Sequence, residues 1–260
     1  MRSKLTTPNI IACGYPSIMT IRIDGEPIEY ERPQLPSQHA DKLFQNLMMM
    51  HFQQQVMHVA SAKLRSAKLA VFQKSVSVEI KVVTLSAIQD IRLEYAIKSI
   101  LDGLNKAVIR DDTSVMNIQI WLEKVSKSYD KPYTRVTITD NVTRASITFK
   151  IDGPIVEKVL AIPYNIGGSL NYSKQFLNEL STIENEMSSL RGSFNNSYEI
   201  CHICFYTNNL RKDVDNMFLT YIYLLRVNGY IDASNTVGFG MYKRAAISGE
   251  EKTLISLVPK

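Results

Sequence analysis

Apolar and polar residues alternate through MTIRIDG at 19–25, and the run closes on Gly25 ahead of a proline-punctuated loop, GEPIEYERPQLP. That spacing predicts a strand. Residues 38–68 contain neither Gly nor Pro. Leu43, Leu47, Met50 and Met57 recur there at helical intervals behind Ser37 as a cap, predicting a long amphipathic helix with its methionines in the core. VSVEIKVV at 76–83 sets Val76, Val78, Ile80 and Val82 on one face, the period of a half-buried strand. In LEYAIKSILDGLNKAV, Leu93, Ile97, Ile100, Leu101, Leu104 and Val108 form a helical stripe. Glu94, Lys98 and Asp102 follow at four-residue steps on another face, where Lys98 reads most simply as half of an exposed helical ion pair. Two alternating runs then flank the polar SKSYDKP, MNIQIWLEK and YTRVTITD, and predict an antiparallel hairpin.

The same order begins again near residue 146. SITFKIDGPI repeats the sense of TIRIDGEPI, with Ile151-Asp152-Gly153 echoing Ile23-Asp24-Gly25 at an offset of 128. A helix is predicted over 172–190, with Phe176, Leu180, Ile183, Met187 and Leu190 on its stripe. It is followed by a strand, EICHICFY, a helix opened by KDVDN, a loop, YIDASNTV, and a terminal hairpin. The pattern reads as a tandem duplication of a β-α-β-α-β-β unit of about 120 residues. Residues 19–143 and 144–260 are the two copies and residues 1–18 an extension. The expected class is α+β, each copy packing two helices on one face of a small mixed sheet.

Composition narrows the setting. The 260 residues are 45% apolar and 21% charged, enough to bury a large core. No stretch approaches the roughly 18–20 apolar residues of a membrane helix. The opening MRSKLTTPNIIACGYPS is broken by Pro8 and Gly14, unlike a secretory segment. Three cysteines, Cys13, Cys201 and Cys204, cannot close a disulfide framework, so a cytoplasmic protein without membrane partners is expected. The net charge of +5 suits a polyanionic partner, and most of the excess lies in residues 1–143, the extension and first copy together.

Candidate chemistry gathers at two places. Asp213 and Asp215, two residues apart in RKDVDN, would point to the same side of an extended segment, as a hard divalent cation needs of its ligands. Equally, Asp215 or Asn216 could serve as an ordinary helix cap, with Asp213 near the positive end of the dipole. Asp111-Asp112 lies 18 residues beyond Glu94, far enough for one helix and a return loop to bring the acids together, although Asp-Asp in a loop also serves turns. Cys201 and Cys204 have zinc-like spacing but fall on opposite faces of a strand. His39, His51, His58 and His202 form no triad or cluster pattern, and no glycine-rich phosphate loop follows a strand.

YAIKSILDGLNKAVIRDDTSV resembles the signature stretch of the RusA family of Holliday-junction resolvases, and RKDVDNMFLTYIYLLRVNGYIDASNTV resembles a more drifted version of it. IDGEPIEYERP is similar to that family's amino-terminal strand and loop. The resemblance implies an Asp-x-Asp-Asn before the helix, a lysine four residues after the second Asp, and an Asp-Asp after the helix. It also implies cleavage of four-way DNA junctions by a homodimer with Mg²⁺ (or Mn²⁺). The second copy supplies Asp213, Asp215 and Asn216, with Leu219 at the lysine position and Ala233-Ser234 at the closing acids, Asp232 standing nearby. The first supplies Lys98 and Asp111-Asp112, with Glu94 for the second Asp and Arg92 for the first. By this resemblance the catalytic set is Asp213, Asp215, Asp232, Glu94, Lys98 and Asp112. Asp213, Asp215 and Asp112 are its metal ligands, and Arg92, Arg110, Arg211 and Lys212 contact branched DNA. The second copy is the better candidate for metal and the first for DNA. The rival reading is a decayed, resolvase-like protein that binds branched DNA or a protein partner without cutting, self-associating or relying on a further subunit.

Overall fold

The computed structural model describes residues 18–30, 41–85, 91–125, 131–156, 174–189, 198–231 and 236–259, with no account of side chains 41–46 and 189. Eight strands form one mixed sheet: β1 (Met19–Asp24), β2 (Val76–Thr84), β3 (Val115–Lys124), β4 (Tyr133–Asp140), β5 (Ser146–Asp152), β6 (Tyr198–Thr207), β7 (Gly238–Ala245) and β8 (Lys252–Pro259). Four helices are interspersed: α1 (Asp41–Ser66), α2 (Leu93–Leu104), α3 (Lys174–Ser189) and α4 (Val214–Val227). The class is α+β, as the periodicities predict. Among the described residues no helix is long and apolar enough to cross a membrane.

The sheet order is β1-β8-β6-β7-β3-β2-β4-β5. It reads alike from both ends. At the middle β3 and β7 pair antiparallel, Gln119 opposite Gly240. Outward on one side come β2, parallel to β3, then β4 and β5, each antiparallel to its predecessor. On the other side β6 is parallel to β7, and β8 and β1 follow antiparallel. The first strand of the chain therefore completes the half-sheet built from the last three, and β5 completes the half built from β2, β3 and β4. Both edge strands end alike: Gly25 and Gly153, the glycines of the IDG echo, take φ of 110° and 104°, a region closed to most side chains.

Neither predicted hairpin forms. β2 lies between β3 and β4, and β6 between β7 and β8. The cause is the helical crossover: β2-α2-β3 makes a parallel pair that occupies one edge of β3, and β7 takes the other. β4 is left the free edge of β2. The connection from β3 to β4 has only to step across one strand, about 10 Å in all, which a segment of that length spans easily.

The inward faces of the strands are mostly apolar, from Val76, Val78, Ile80 and Val82 on β2 to Ile203 and Phe205 on β6, with Lys243 on β7 the charged exception among the described residues. The methionine stripe expected for α1 is the wrong face. Leu47 and Met50 are half exposed, and Phe52, Val56, Ala60 and Leu64 are buried instead. Apolar and polar residues are mixed around the whole of this helix, so its periodicity selects no single face. A Cβ at Gly103 on α2 would come within 2.8 Å of the Gln53 carbonyl and of Val56, so the glycine lets α1 lie against α2. On α3 the predicted Phe176, Leu180, Ile183 and Met187 are buried; Leu190 and Ser37 lie outside the described residues.

Candidate active site

α2 is anchored by Leu93, Ile97, Ile100, Leu101 and Leu104, all buried. This turns Lys98 toward α4 instead of solvent, and the exposed ion pair expected from its spacing does not form. Its ammonium, on a side chain only 7% exposed, donates to Asp215 Oδ2 at 2.7 Å and to Asn216 Oδ1 at 3.1 Å. It also lies 4.0 Å from Asp112 Oδ2. Burial alone would lower the lysine pKa, but the Asp215 carboxylate beside it, followed by Asp112, more than reverses this and holds it above its ordinary value. Residues from both motifs thus meet at one place, although the sequence separated a metal half from a DNA half.

The N-terminus of α4 is held by the loop after β1. Glu29 Oε1 accepts the Asp213 backbone N–H at 2.7 Å, and the Tyr30 N–H donates to the Asn216 carbonyl at 3.0 Å. Asp213 occupies the N-cap position, yet its side chain caps nothing; its Oδ2 accepts from Asn216 Nδ2 at 3.0 Å. Asp215 lies in the first turn of the helix and not in an extended segment, and its oxygens also make no cap. The ordinary capping reading is therefore not what this segment does.

Asp112 opens a single 3₁₀ turn, Asp112–Ser114, between α2 and β3. Its neighbour Asp111 is spent on that turn: its carboxylate accepts from the Thr113 hydroxyl, and its carbonyl accepts the Ser114 N–H at 3.1 Å. Asp112 is left facing Lys98.

One oxygen of each of three carboxylates, Asp112 Oδ1, Asp213 Oδ1 and Asp215 Oδ1, is buried without a hydrogen-bond partner. Burial, then repulsion from Asp215, pushes the Asp112 pKa up to about 7, with Lys98 pulling the other way. The same two causes raise Asp213 to about 6, opposed by Lys98 and Lys243. Unsatisfied, crowded, hard oxygens of this kind are the donor chemistry of Mg²⁺ and Mn²⁺. Among the described residues no three acidic, His or Cys side chains stand close enough together to enclose a metal as they lie, and Lys98 is the cation between them. The donor set fits a divalent ion in type and number, and binding would require the carboxylates to draw together.

Glu94, one helical turn before Lys98, has a different fate. It is 3% exposed and held by both terminal nitrogens of Arg226, from the far end of α4, with Nη2 3.2 Å from Oε2. A bidentate guanidinium engages both oxygens of this carboxylate and neutralises the charge that would attract a metal. Leu219 is buried, Arg92 sits half-buried at the N-cap position of α2 without capping it, and Asp232 lies outside the described residues. The cations expected to touch DNA also divide. Arg110 is 65% exposed beside Asp111, and Arg211 is exposed, but Lys212 is engaged by Glu26 at 2.9 Å and by the Pro27 carbonyl.

Three residues of this region were missed from sequence. Glu29 and Arg226 carry no local signal. Lys243 does: in GFGMYKRA it shares the inward parity of Phe239 and Met241, and a lysine among core positions of a strand is anomalous. Away from the cluster, Cys201 and Cys204 are free thiols. Burial raises the Cys201 pKa, as an inert core thiol requires. No protein-family model, curated protein or solved structure matches this chain.

Proposed function

We propose that this chain is a RusA-like endonuclease for branched DNA, a single-chain pseudo-dimer in which two incomplete signatures assemble one site. The observation that carries the reading is the meeting of Lys98 and Asp112 from the first signature with Asp213, Asp215 and Asn216 from the second. Each half lacks what the other provides. The palindromic strand order and the matching glycines of the IDG echo support a tandem duplication of residues 19–143 and 144–260, with edge strands exchanged between the copies. Free thiols suit a cytoplasmic setting.

Asp112, Asp213 and Asp215 would hold Mg²⁺ or Mn²⁺, which when bound polarises a phosphodiester and lowers the pKa of water. The protein's own contribution is positional and electrostatic. Lys98 keeps its proton and offers a fixed positive charge to a phosphate oxygen whose negative charge grows during cleavage. The raised acids Asp112 and Asp213 repel each other less when a cation lies between them, so the pocket favours a divalent ion near neutral pH. Arg110 and Arg211 are exposed next to the acid-bearing loops and would take backbone phosphates, setting the strand in register without reading its sequence.

The mirrored place is closed by Glu94 and Arg226, so one chain should deliver one nick. The test is incubation of the purified chain with end-labelled four-way junctions and duplex controls, with and without Mg²⁺ or Mn²⁺. Metal-dependent nicking confined to junctions is the expected result. Junction binding without nicking in either metal would favour the rival, a resolvase-like binder, which the absence of a closed metal-ligating trio among the described residues also suits.

A further inference from the structure

Lys243 projects from β7 into the core and is fully buried. Its ammonium has three protons and meets three backbone carbonyls: Thr113 at 2.8 Å, Lys212 at 2.8 Å and Leu210 at 3.0 Å. Thr113 follows Asp112, and the Lys212 carbonyl belongs to the peptide that leads into Asp213. One side chain therefore ties the turn carrying the first-half acid to the segment carrying the second-half acids. Among the described residues it forms no ion pair with any carboxylate.

A cation is a costly choice for a core position, where an aliphatic chain of similar volume is as stable or more so. The mirrored half makes that other choice. At the offset of 121 that aligns Glu94 with Asp215, Lys243 aligns with Leu122, which is buried and apolar. The lysine occurs only on the side where the acids converge, while the side sealed by Glu94 and Arg226 has a leucine. A purely structural demand of the fold would apply to both halves.

We propose that Lys243 is a positioning residue that fixes the spacing between the Asp112 turn and the Asp213–Asp215 segment, and thereby sets the affinity of this pocket for a divalent cation. The inference rests on the metal-binding reading above but not on DNA cleavage. The experiment uses the intact chain and Mn²⁺ alone, with free Mn²⁺ followed by its electron paramagnetic resonance signal, and circular dichroism as the check on folding. Lys243→Met removes every donor at similar volume, and Lys243→Gln keeps a donating amide. The expected result is a loss of Mn²⁺ affinity of about tenfold to a hundredfold in Lys243→Met and a smaller loss in Lys243→Gln, the scale seen when outer partners of metal ligands are removed. Binding of four-way junctions in EDTA should stay unchanged in both. Where nicking is measurable, saturating Mn²⁺ should restore the rate, so that the half-saturating concentration moves and the maximum does not. Mn²⁺ affinity within twofold of wild type in a folded Lys243→Met chain would overturn the proposal. So would loss of the fold in both variants, which would make Lys243 a stability residue. Mn²⁺ binding by the wild type without nicking, with affinity lost in Lys243→Met, would retain the positioning role and remove the nuclease reading. A wild-type chain that binds no Mn²⁺ would remove both.

Discussion

Two buried cation–carboxylate contacts join α2 to α4, and their difference separates a site from a seal. At one, a single ammonium faces Asp215, Asn216 and Asp112, with three carboxylate oxygens left unsatisfied around it. At the other, a planar guanidinium takes both oxygens of Glu94. Lysine is a point charge on a flexible stem and can yield to or share with another cation. Arginine in fork geometry holds both oxygens of its partner in one fixed arrangement. The nearly palindromic sheet offers two comparable positions, and among the described residues the unsatisfied carboxylate oxygens gather at one of them.

The largest expected effect is on chemistry. Asp112→Asn or Asp213→Asn should each reduce junction cleavage on the order of a thousandfold or more while sparing binding, since each removes a charge that a metal requires. Glu94→Gln combined with Arg226→Met should leave cleavage within about twofold, because that pair is bonded to itself and shares no hydrogen bond with Lys98, Asp112, Asp213 or Asp215 among the described residues. Equal damage from the two sets, in single-turnover assays, would erase the distinction between site and seal.

Stability should distinguish them next. Arg226→Met strands a buried Glu94 and should cost about 3–5 kcal/mol in urea unfolding, most of it recovered by adding Glu94→Gln. Lys98→Met should cost a similar amount without metal. There, added Mn²⁺ should restore part of the loss, whereas it should do nothing for Arg226→Met.

A pH dependence follows from the raised acids. Native Asp112, near 7, and Asp213, near 6, hold protons that the unfolded chain has already released above its ordinary carboxylate value of 3.8. Their contribution to stability is therefore full below about pH 4 and is lost as pH rises through 6 and 7. The metal-free chain should lose melting temperature across that window relative to Asp112→Asn, and the stabilisation by Mn²⁺ should be greater at pH 8 than at pH 6. A wild-type curve parallel to that of the variant would contradict the burial assigned to Asp112.

The smallest effect concerns the approach of DNA. Arg110→Glu should weaken junction binding across all sequences and reduce the log–log salt slope by about 0.9 for each phosphate that is no longer neutralised. Lys212→Glu should act mainly on the fold, since that lysine is already held by Glu26.

Local periodicity contained most of the elements and little of their pairing. The strands at 76–84 and 198–207 and the helices at 93–104 and 214–227 were legible because one face of each is apolar. That β2 separates β3 from β4, or that β1 joins β8, depends on pairing between distant parts of the chain, for which alternation has no signal. The site was legible one residue at a time. Asp112, Lys98, Asp213 and Asp215 each stand out, but the motifs assign them to different copies with different work, because each signature alone is an incomplete version of the whole pattern. Lys98 looked exposed since charges at four-residue steps usually face water, and only the packing of α2 on α4 turns it inward.

The central claim is one assembled site per chain, built from both halves, and a supercoiled plasmid carrying an extruded cruciform tests it most directly. With Mg²⁺ or Mn²⁺ and chain in slight excess, the account expects nicked circles to accumulate well before any linear product, and neither Lys98→Ala nor Asp215→Asn, one from each half, to give any product. Linear plasmid formed at once by paired cuts, or nicking that survives either substitution, would contradict it.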